Sequence, residues 1–408
     1  MTIRPPHWST PWLTLFISLL VGCTSVGPPV EVTKRGWIFE LSEAERVVVR
    51  NLLRSKQFDE LDKRFQHLQR QYEQGHIDDR SLTLEFQGFY DLTPENEPYL
   101  NEWVTSKPSS YPARLARGIY YREVAGEKRG ERFVRDTPRE NMVQMAQYLA
   151  LAETDLRTSL SLTPKPMVSL LHLMTSFKMR GDSAGSRTWL DYANRIDPQN
   201  YGARRRYMMS LVPRWGGSYE AMWQFLTLCK NQNTPGDYLR VFESLIYLDQ
   251  AHTFEELHQK EKARSLYKTV LELLDGIHTI ERLNALKGLA RTGRGENPDN
   301  YSKEVEEALR LSPKDRVMLG YQGYILFNRG DRREGLQAFR QGAELGDPYS
   351  QLQLAKHLYY GVPSVFGSNQ AEAVLWATRA AEQGYAPAKE FLEEVAKHRS
   401  RSEDISEH

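Results

Sequence analysis

The chain has 408 residues, 40% hydrophobic, 11% aromatic and 26% charged, enough to bury a real core as two or three domains or as one extended array. With 54 basic against 53 acidic residues, overall charge gives no reason to expect a polyanion, because phosphate binding needs a positive excess somewhere on the surface. Composition therefore points to a folded, near-neutral protein with no nucleic acid partner.

Arg4 is the only charged residue among the first 23, and the apolar run Trp12 to Gly22 that follows is eleven residues long. A membrane-spanning helix needs roughly 20 residues, whereas the apolar region of a secretory signal needs about 7 to 15. Residues 1–22 therefore read as a signal peptide. The run closes with Leu20, Val21, Gly22, Cys23, which resembles the lipobox of bacterial lipoproteins. That resemblance implies a diacylglycerol on the Cys23 thiol, a further acyl chain on the new amino terminus, and firm anchoring through several chains. Thr24 stands where, by the same family's sorting rule, an Asp would retain the product at the inner membrane. The resemblance thus implies a cell outer membrane lipoprotein facing the periplasm.

Residues 23–35, with Gly27, Pro28 and Pro29, read as the acylated Cys and a tether. Cys229 is the only other cysteine, so with Cys23 acylated no intramolecular disulfide can form. Set in the apolar run Phe225, Leu226, Thr227, Leu228, Cys229 reads as a buried structural thiol.

The remainder repeats. Ala152, Leu156, Ser159, Leu162 and Pro164 recur 34 residues later as Ser186, Leu190, Ala193, Ile196 and Pro198, and Val305, Ala308 and Leu311 recur at the same offset as Phe339, Gly342 and Leu345. Thirty-four is the tetratricopeptide period, and small, large, small, apolar, Pro is the order its second helix needs. Small residues admit a neighbouring helix, and Pro ends the run by removing an amide donor.

First helices show stripes at helical spacing: Val48, Val49 and Leu52, paired with Leu61, Phe65 and Leu68; and Leu173, Met174 and Phe177 before the turn at Gly181 and Asp182. Leu239, Phe242, Leu245 and then Leu257, Ala263, Tyr267, Val270 and Leu273 predict another pair. Strand signals are nearly absent. The expected fold is all-α, a tetratricopeptide-like solenoid of stacked helical hairpins.

At the C-terminal end, Leu354, Ala355, Tyr359 and Gly361, then Asn369, Ala371, Trp376, Arg379, Ala380, Ala381, Glu382, Gln383 and Gly384 resemble one Sel-one-like repeat. Gly346 and Gly384 would end successive second helices, and Pro363 to Ser368 is an insertion. Residues 85 to about 230 resemble a bacterial family named domain of unknown function 4034. The matching stretches are Trp103, Tyr111, Ala113 to Gly118, Tyr120 and Tyr121, Arg129 and Gly130; Ala152, Asp155 and Leu156; Asp197, Pro198 and Asn200; and Pro213 to Ser218. The resemblance implies architecture and carries no activity. Gly126 to Glu140, with five basic and four acidic residues, reads as a solvated loop. The expected organisation is a helical-repeat domain over 36–230, tetratricopeptide and Sel-one-like repeats over 231–398, and a disordered tail over 399–408.

Three constellations could carry chemistry. Gly181, Asp182, Ser183, Ala184, Gly185 satisfies the nucleophile-elbow pattern, but an elbow needs a strand before it, and Ser183 as a helix cap explains the residues with less. His252, Glu255, Glu256 and His258 resemble a zinc site. His258, however, lies about 240° around a helix from His252, so surface histidines are the simpler reading.

Arg204, Arg205 and Arg206 cover most of a helix circumference, so at least one should face the groove where such repeats hold extended peptides. An Arg fork there suits a carboxylate, against the alternative of a salt-bridged face. Arg214 and Trp215 join them as candidate protein-binding residues, with a packed turn as the alternative for Trp215. The reading is a scaffold or adaptor that binds protein or peptide partners in the cell envelope, with no catalytic residues, metal or cofactor. The rival is an envelope hydrolase acting on peptide or cell-wall substrate.

Overall fold

The computed structural model describes residues 43–91, 93–130, 134–293, 297–362 and 367–406. The expected signal peptide, Cys23, the tether and part of the Pro363 to Ser368 insertion lie outside them. Among the described residues there are nineteen α-helices and no strand. The all-α expectation holds.

Four helices come first: α1 (Glu43–Arg54), α2 (Phe58–Glu73), α3 (Asp79–Phe86) and α4 (Asn96–Ser106). Antiparallel pairs follow, α5 (Tyr111–Arg129) with α6 (Arg139–Ser159) and α7 (Met167–Met179) with α8 (Ser183–Ile196); then come α9 (Gly202–Ser210) and α10 (Tyr219–Asn231), meeting through side chains such as Tyr207 and Phe225. Next are α11 (Gly236–Glu256) with α12 (Lys260–Leu273), α13 (Ile280–Thr292) with α14 (Ser302–Leu311), α15 (Arg316–Arg329) with α16 (Arg332–Glu344), and α17 (Pro348–Tyr360) with α18 (Gln370–Glu382). A last helix, α19 (Ala386–Ser406), ends the stack.

Local chemistry sets these boundaries. First helices open on side chains that accept from orphan amides: Ser110 from the Ala113 N–H, Thr279 from Arg282, Asp315 from Met318 and Asp347 from Ser350. Gly346 and Gly384 end α16 and α18 at φ 85° and 83°, a left-handed turn that costs glycine little. The 34-residue recurrence falls on α6 and α8, where Ala152, Leu156 and Ser159 and then Ser186, Leu190 and Ala193 are buried at matching places. Small residues admit close neighbours: a Cβ on Gly118 of α5 would sit 2.9 Å from the Leu156 side chain of α6.

Successive first helices touch, α5 on α7, α7 on α9, α9 on α11, α11 on α13 and α15 on α17, whereas no two second helices approach as closely among the described residues. The second helices therefore splay, and the first helices line the inner side of the curve. The N-terminal helices lie on that inner side, with α2 against α5 and α3 against α7. Asp79 of α3, fully buried, accepts from the Gly202 N–H at the start of α9 (2.5 Å), putting a carboxylate on a helix N-terminus. Gln69 of α2 donates to the Lys165 carbonyl (2.9 Å).

Several expectations change. The segment holding α1 and α2 is a layer laid across the inner face and does not continue the stack. On α1, Val49 and Leu53 are buried but Val48 is 46% exposed, because the apolar stripe faces α2 and α4 rather than a flanking pair. No boundary falls at 230, since one core runs unbroken from Val49 to Leu289, followed by smaller cores around Val305 and Phe339. Helix α5 continues to Arg129, turning the first four residues of the expected loop into a helix end whose arginine is 9% exposed. Helix α19 runs to Ser406 through residues expected to be a disordered tail; once started, a helix gains a hydrogen bond per added residue. No helix among the described residues is long and apolar enough to cross a membrane.

Candidate functional site

The inner row carries most of the unusual electrostatics. At its upper end arginines are neutralised inside the chain. Asp155 of α6, nearly fully buried, accepts from Arg117 Nε (2.6 Å) and from Arg114 Nη1 (2.9 Å), both on α5. One carboxylate between two guanidinium groups ties the first pair together.

One turn further along the same helices the pattern changes. Arg122 and Arg129 on α5, His172 and Lys178 on α7, and Arg206 on α9 converge, with Trp215 and Arg214 from the turn after α9. Burial drives the Lys178 ammonium down to about 8, helped by the fields of Arg206, Arg122, Arg214 and Arg205. Arg206 is pushed down to about 10, first by burial and then by Arg122 and Arg205, with Tyr90 and Asp79 acting the other way. Burial and the same arginines hold His172 well below its ordinary value. Burial also lowers Arg129, with Arg214 adding to it.

The contacts inside this trough are few. Arg122 pairs with Glu123 beside it and its Nε–H donates to His172 Nδ1 (3.3 Å). With Nδ1 accepting, neutral His172 carries its proton on Nε2. That Nε2 and the Trp215 Nε1 are buried and have no hydrogen-bond partner among the described residues. Arg206 Nε donates to the Thr175 hydroxyl (3.2 Å). Arg129 and Lys178 approach the Trp215 ring, at 4.8 Å and 5.0 Å from its centroid. Tyr90, following the N-terminal layer, is edge-on to His172 and under Arg122 (5.6 Å). The trough is thus a donor-rich cluster on the inner row, flanked by two aromatic rings.

The three consecutive arginines divide. Arg204 is 3% exposed and spends its guanidinium on Gln232 (2.9 Å), Thr234 (3.0 Å) and the Pro198 carbonyl (2.9 Å), stapling α9 to the end of α10. It faces its own second helix, which corrects the expectation that it offers a fork to a partner. Arg205 pairs with buried Glu281 of α13 (2.7 Å), so its charge also has an internal partner. Arg206 alone of the three lines the trough. Arg214 is half exposed, 3.9 Å from Asp249. Trp215 lies in a short 3-10 turn, so packed turn and trough wall are both true of it. Sequence reading missed Arg122, Arg129, His172, Lys178 and Tyr90, which are scattered over 89 positions and share a location only through the stack. Arg122 and Arg129 are two helical turns apart on one face of α5, a spacing hidden in the sequence by reading Gly126 to Glu140 as a loop.

The other constellations dissolve. Ser183 opens α8 directly after α7, with helix on both sides, so no strand-borne elbow exists there; the cap is Asp182, which accepts from the Gly185 N–H (2.7 Å). Glu255 is taken by Arg291 (2.8 Å) and the Tyr267 hydroxyl, and His252 packs against the Tyr267 ring. Among the described residues, no group of three or more His, Cys, Asp or Glu is placed to hold a metal ion. Cys229 is fully buried, its thiol pushed up by burial, 3.4 Å from Arg204 Nη1.

The family described as "Domain of unknown function (DUF4034)" matches residues 45–184 and 179–240. The chain carries a DUF4034 region. It begins some way before the expected residue 85 and takes in the N-terminal layer and the trough alike, so the DUF4034 region contains every residue of the candidate site. No curated protein matches.

Among solved structures, the chain is similar to a Sel1 repeat protein from Oxalobacter formigenes at 14% identity, covering 81% of this chain and 89% of that one (TM-score 0.39). It is similar to c5321, a protective antigen of uropathogenic Escherichia coli with an SLR fold, at 15% identity over 81% and 82% (TM-score 0.34). Yeast Tom70 is similar at 14% identity over 87% and 89% (TM-score 0.32).

Proposed function

We propose that the protein is a non-catalytic outer-membrane lipoprotein whose periplasmic body is a scaffold or adaptor for a protein partner, presented on the first-helix row. One observation carries this reading: the row ends in three tyrosines that the core covers only in part. Tyr324 on α15 and Tyr359 on α17 are half-buried, and Tyr360 is 61% exposed. Tyrosine is the residue type that covers most area at little entropic cost in protein interfaces. Helices α15 and α17 are adjacent, so the rings belong to one end of one surface. The buried carboxylates Asp79, Asp155 and Glu281 have structural partners, which favours recognition over chemistry. The lipobox-like ending at Cys23 supports the anchoring half of the proposal.

Crosslinking in intact cells followed by affinity purification tests the binding half. Replacing Tyr324 and Tyr360 together with Glu is expected to abolish the crosslinked partner without lowering helicity by circular dichroism; undiminished capture would refute it. Cys23→Ser is expected to leave the protein soluble or unprocessed, and a variant still in the outer-membrane fraction would refute the anchor.

A further inference from the structure

We propose that the trough formed by Arg122, Arg129, His172, Lys178, Arg206 and Trp215 is a binding site for a phosphoryl group, an oxyanion with at least two negative charges. The inference is independent of the protein-binding surface at α15 and α17.

It rests on the contrast with how this fold uses its other buried arginines. Arg114 and Arg117 share Asp155, Arg205 has Glu281 and Arg282 has Glu307, each bonded at 2.6 to 2.9 Å. As a rule a guanidinium group that serves packing either has a carboxylate against it or, like Arg204, is surrounded by neutral acceptors. In the trough the rule lapses: of Arg122, Arg129, Lys178 and Arg206, only Arg122 has a carboxylate in contact among the described residues, and that is Glu123. Asp79 acts on Arg206 only through space. Three partly buried cationic groups thus stand without a paired anion, a costly arrangement unless something else supplies the charge.

Apart from the Glu123 carboxylate held by Arg122 and the Thr175 hydroxyl held by Arg206, the polar side-chain atoms there are of one kind. The Arg129 and Arg206 guanidinium groups, the Lys178 ammonium, the His172 Nε2–H and the Trp215 Nε1–H all donate, and the last two have no acceptor among the described residues. His172 is fully buried. A set containing only donors selects a ligand that only accepts, which is an oxyanion. Charge decides which oxyanion: a single carboxylate, as at Asp155, satisfies two guanidinium groups, whereas three uncompensated cations with two additional N–H donors match a dianionic phosphoryl group with three terminal oxygens. The rings of Trp215 and Tyr90 flank the site and shield it from water, so each charge-assisted bond is stronger than on an open surface.

The test uses the full chain purified in detergent. Inorganic pyrophosphate is titrated by calorimetry with Trp fluorescence and melting temperature as parallel readouts. A carboxylate-terminated peptide and phosphatidylcholine vesicles with and without phosphatidic acid are run beside it. The expected result is saturable pyrophosphate binding that raises the melting temperature and weakens roughly tenfold or more in Arg206→Gln and in Lys178→Gln. Lys260→Gln on α12 and the Tyr324, Tyr360 double variant should bind as the parent does. Binding of pyrophosphate and of acidic vesicles alike identifies a headgroup as a source, and pyrophosphate without vesicles identifies a soluble phosphate; both support the site. Absence of pyrophosphate binding, affinity unchanged in both trough variants, or a carboxylate peptide that binds more tightly than pyrophosphate would overturn it.

Discussion

At the scale of single residues, Lys178 shows how a site is marked by instability. Arg122 on α5, Arg205 and Arg206 on α9 and Arg214 in the following turn all face it with like charge, and burial pushes its ammonium down to about 8. A base depressed in the fold binds its proton more strongly when unfolded, so stability rises with pH between about 8 and the ordinary lysine value of about 10.4. Lys178→Met should therefore stabilise the protein at pH 7, by about 1 to 3 kcal/mol, and should flatten that alkaline rise. Urea denaturation at pH 7 and pH 10 measures both. A destabilised variant at pH 7 would mean that Lys178 has a favourable role in packing that outweighs its charge. None of this was legible in the sequence, where equal totals of acid and base concealed a local excess: the acidic residues that balance the trough in the count lie elsewhere on the molecule.

At the scale of elements, the sequence was read well where periodicity decides and poorly where long-range contact decides. The recurrence of Ala152 and Leu156 as Ser186 and Leu190 located second helices correctly, because small residues at fixed spacing are a local record of helix approach. The fate of α1 and α2 was not local. Their stripes predicted a pair, and only the contacts of α2 with α5 and of the following α3 with α7 show that the segment folds back onto the inner row. Likewise Arg204, on one strongly basic turn, turned inward because Gln232 and Thr234 wait at the end of α10.

Close approach also makes an element-level prediction at α12 and α13. A Cβ on Gly288 would lie 2.3 Å from the Tyr267 ring, whose hydroxyl joins Glu255 of α11 to Arg291 of α13. Gly288→Ala should push the two helices apart and cost roughly 1 to 3 kcal/mol by overpacking. Thermal unfolding reads that cost, and an unchanged midpoint would show that the ring can move without loss.

At the scale of the whole molecule, one continuous core through the DUF4034 region and smaller ones beyond it make a curved stack with two distinct inner zones. The first zone is overlaid by the N-terminal helices and ends in the cationic trough; the second presents tyrosines at α15 and α17. The architecture was legible because helical repeats write their period into the chain, whereas the division of the inner row was not, because it depends on where a non-repeating segment comes to rest.

The molecule is expected to work through its inner row. A photocrosslinking residue placed at Tyr324 on that row, and in a second strain at exposed Lys268 on the second helix α12, tests it in living cells. Adducts to a specific protein from position 324 and none from position 268 are the predicted result; adducts from 268 alone, or equally from both, would contradict it.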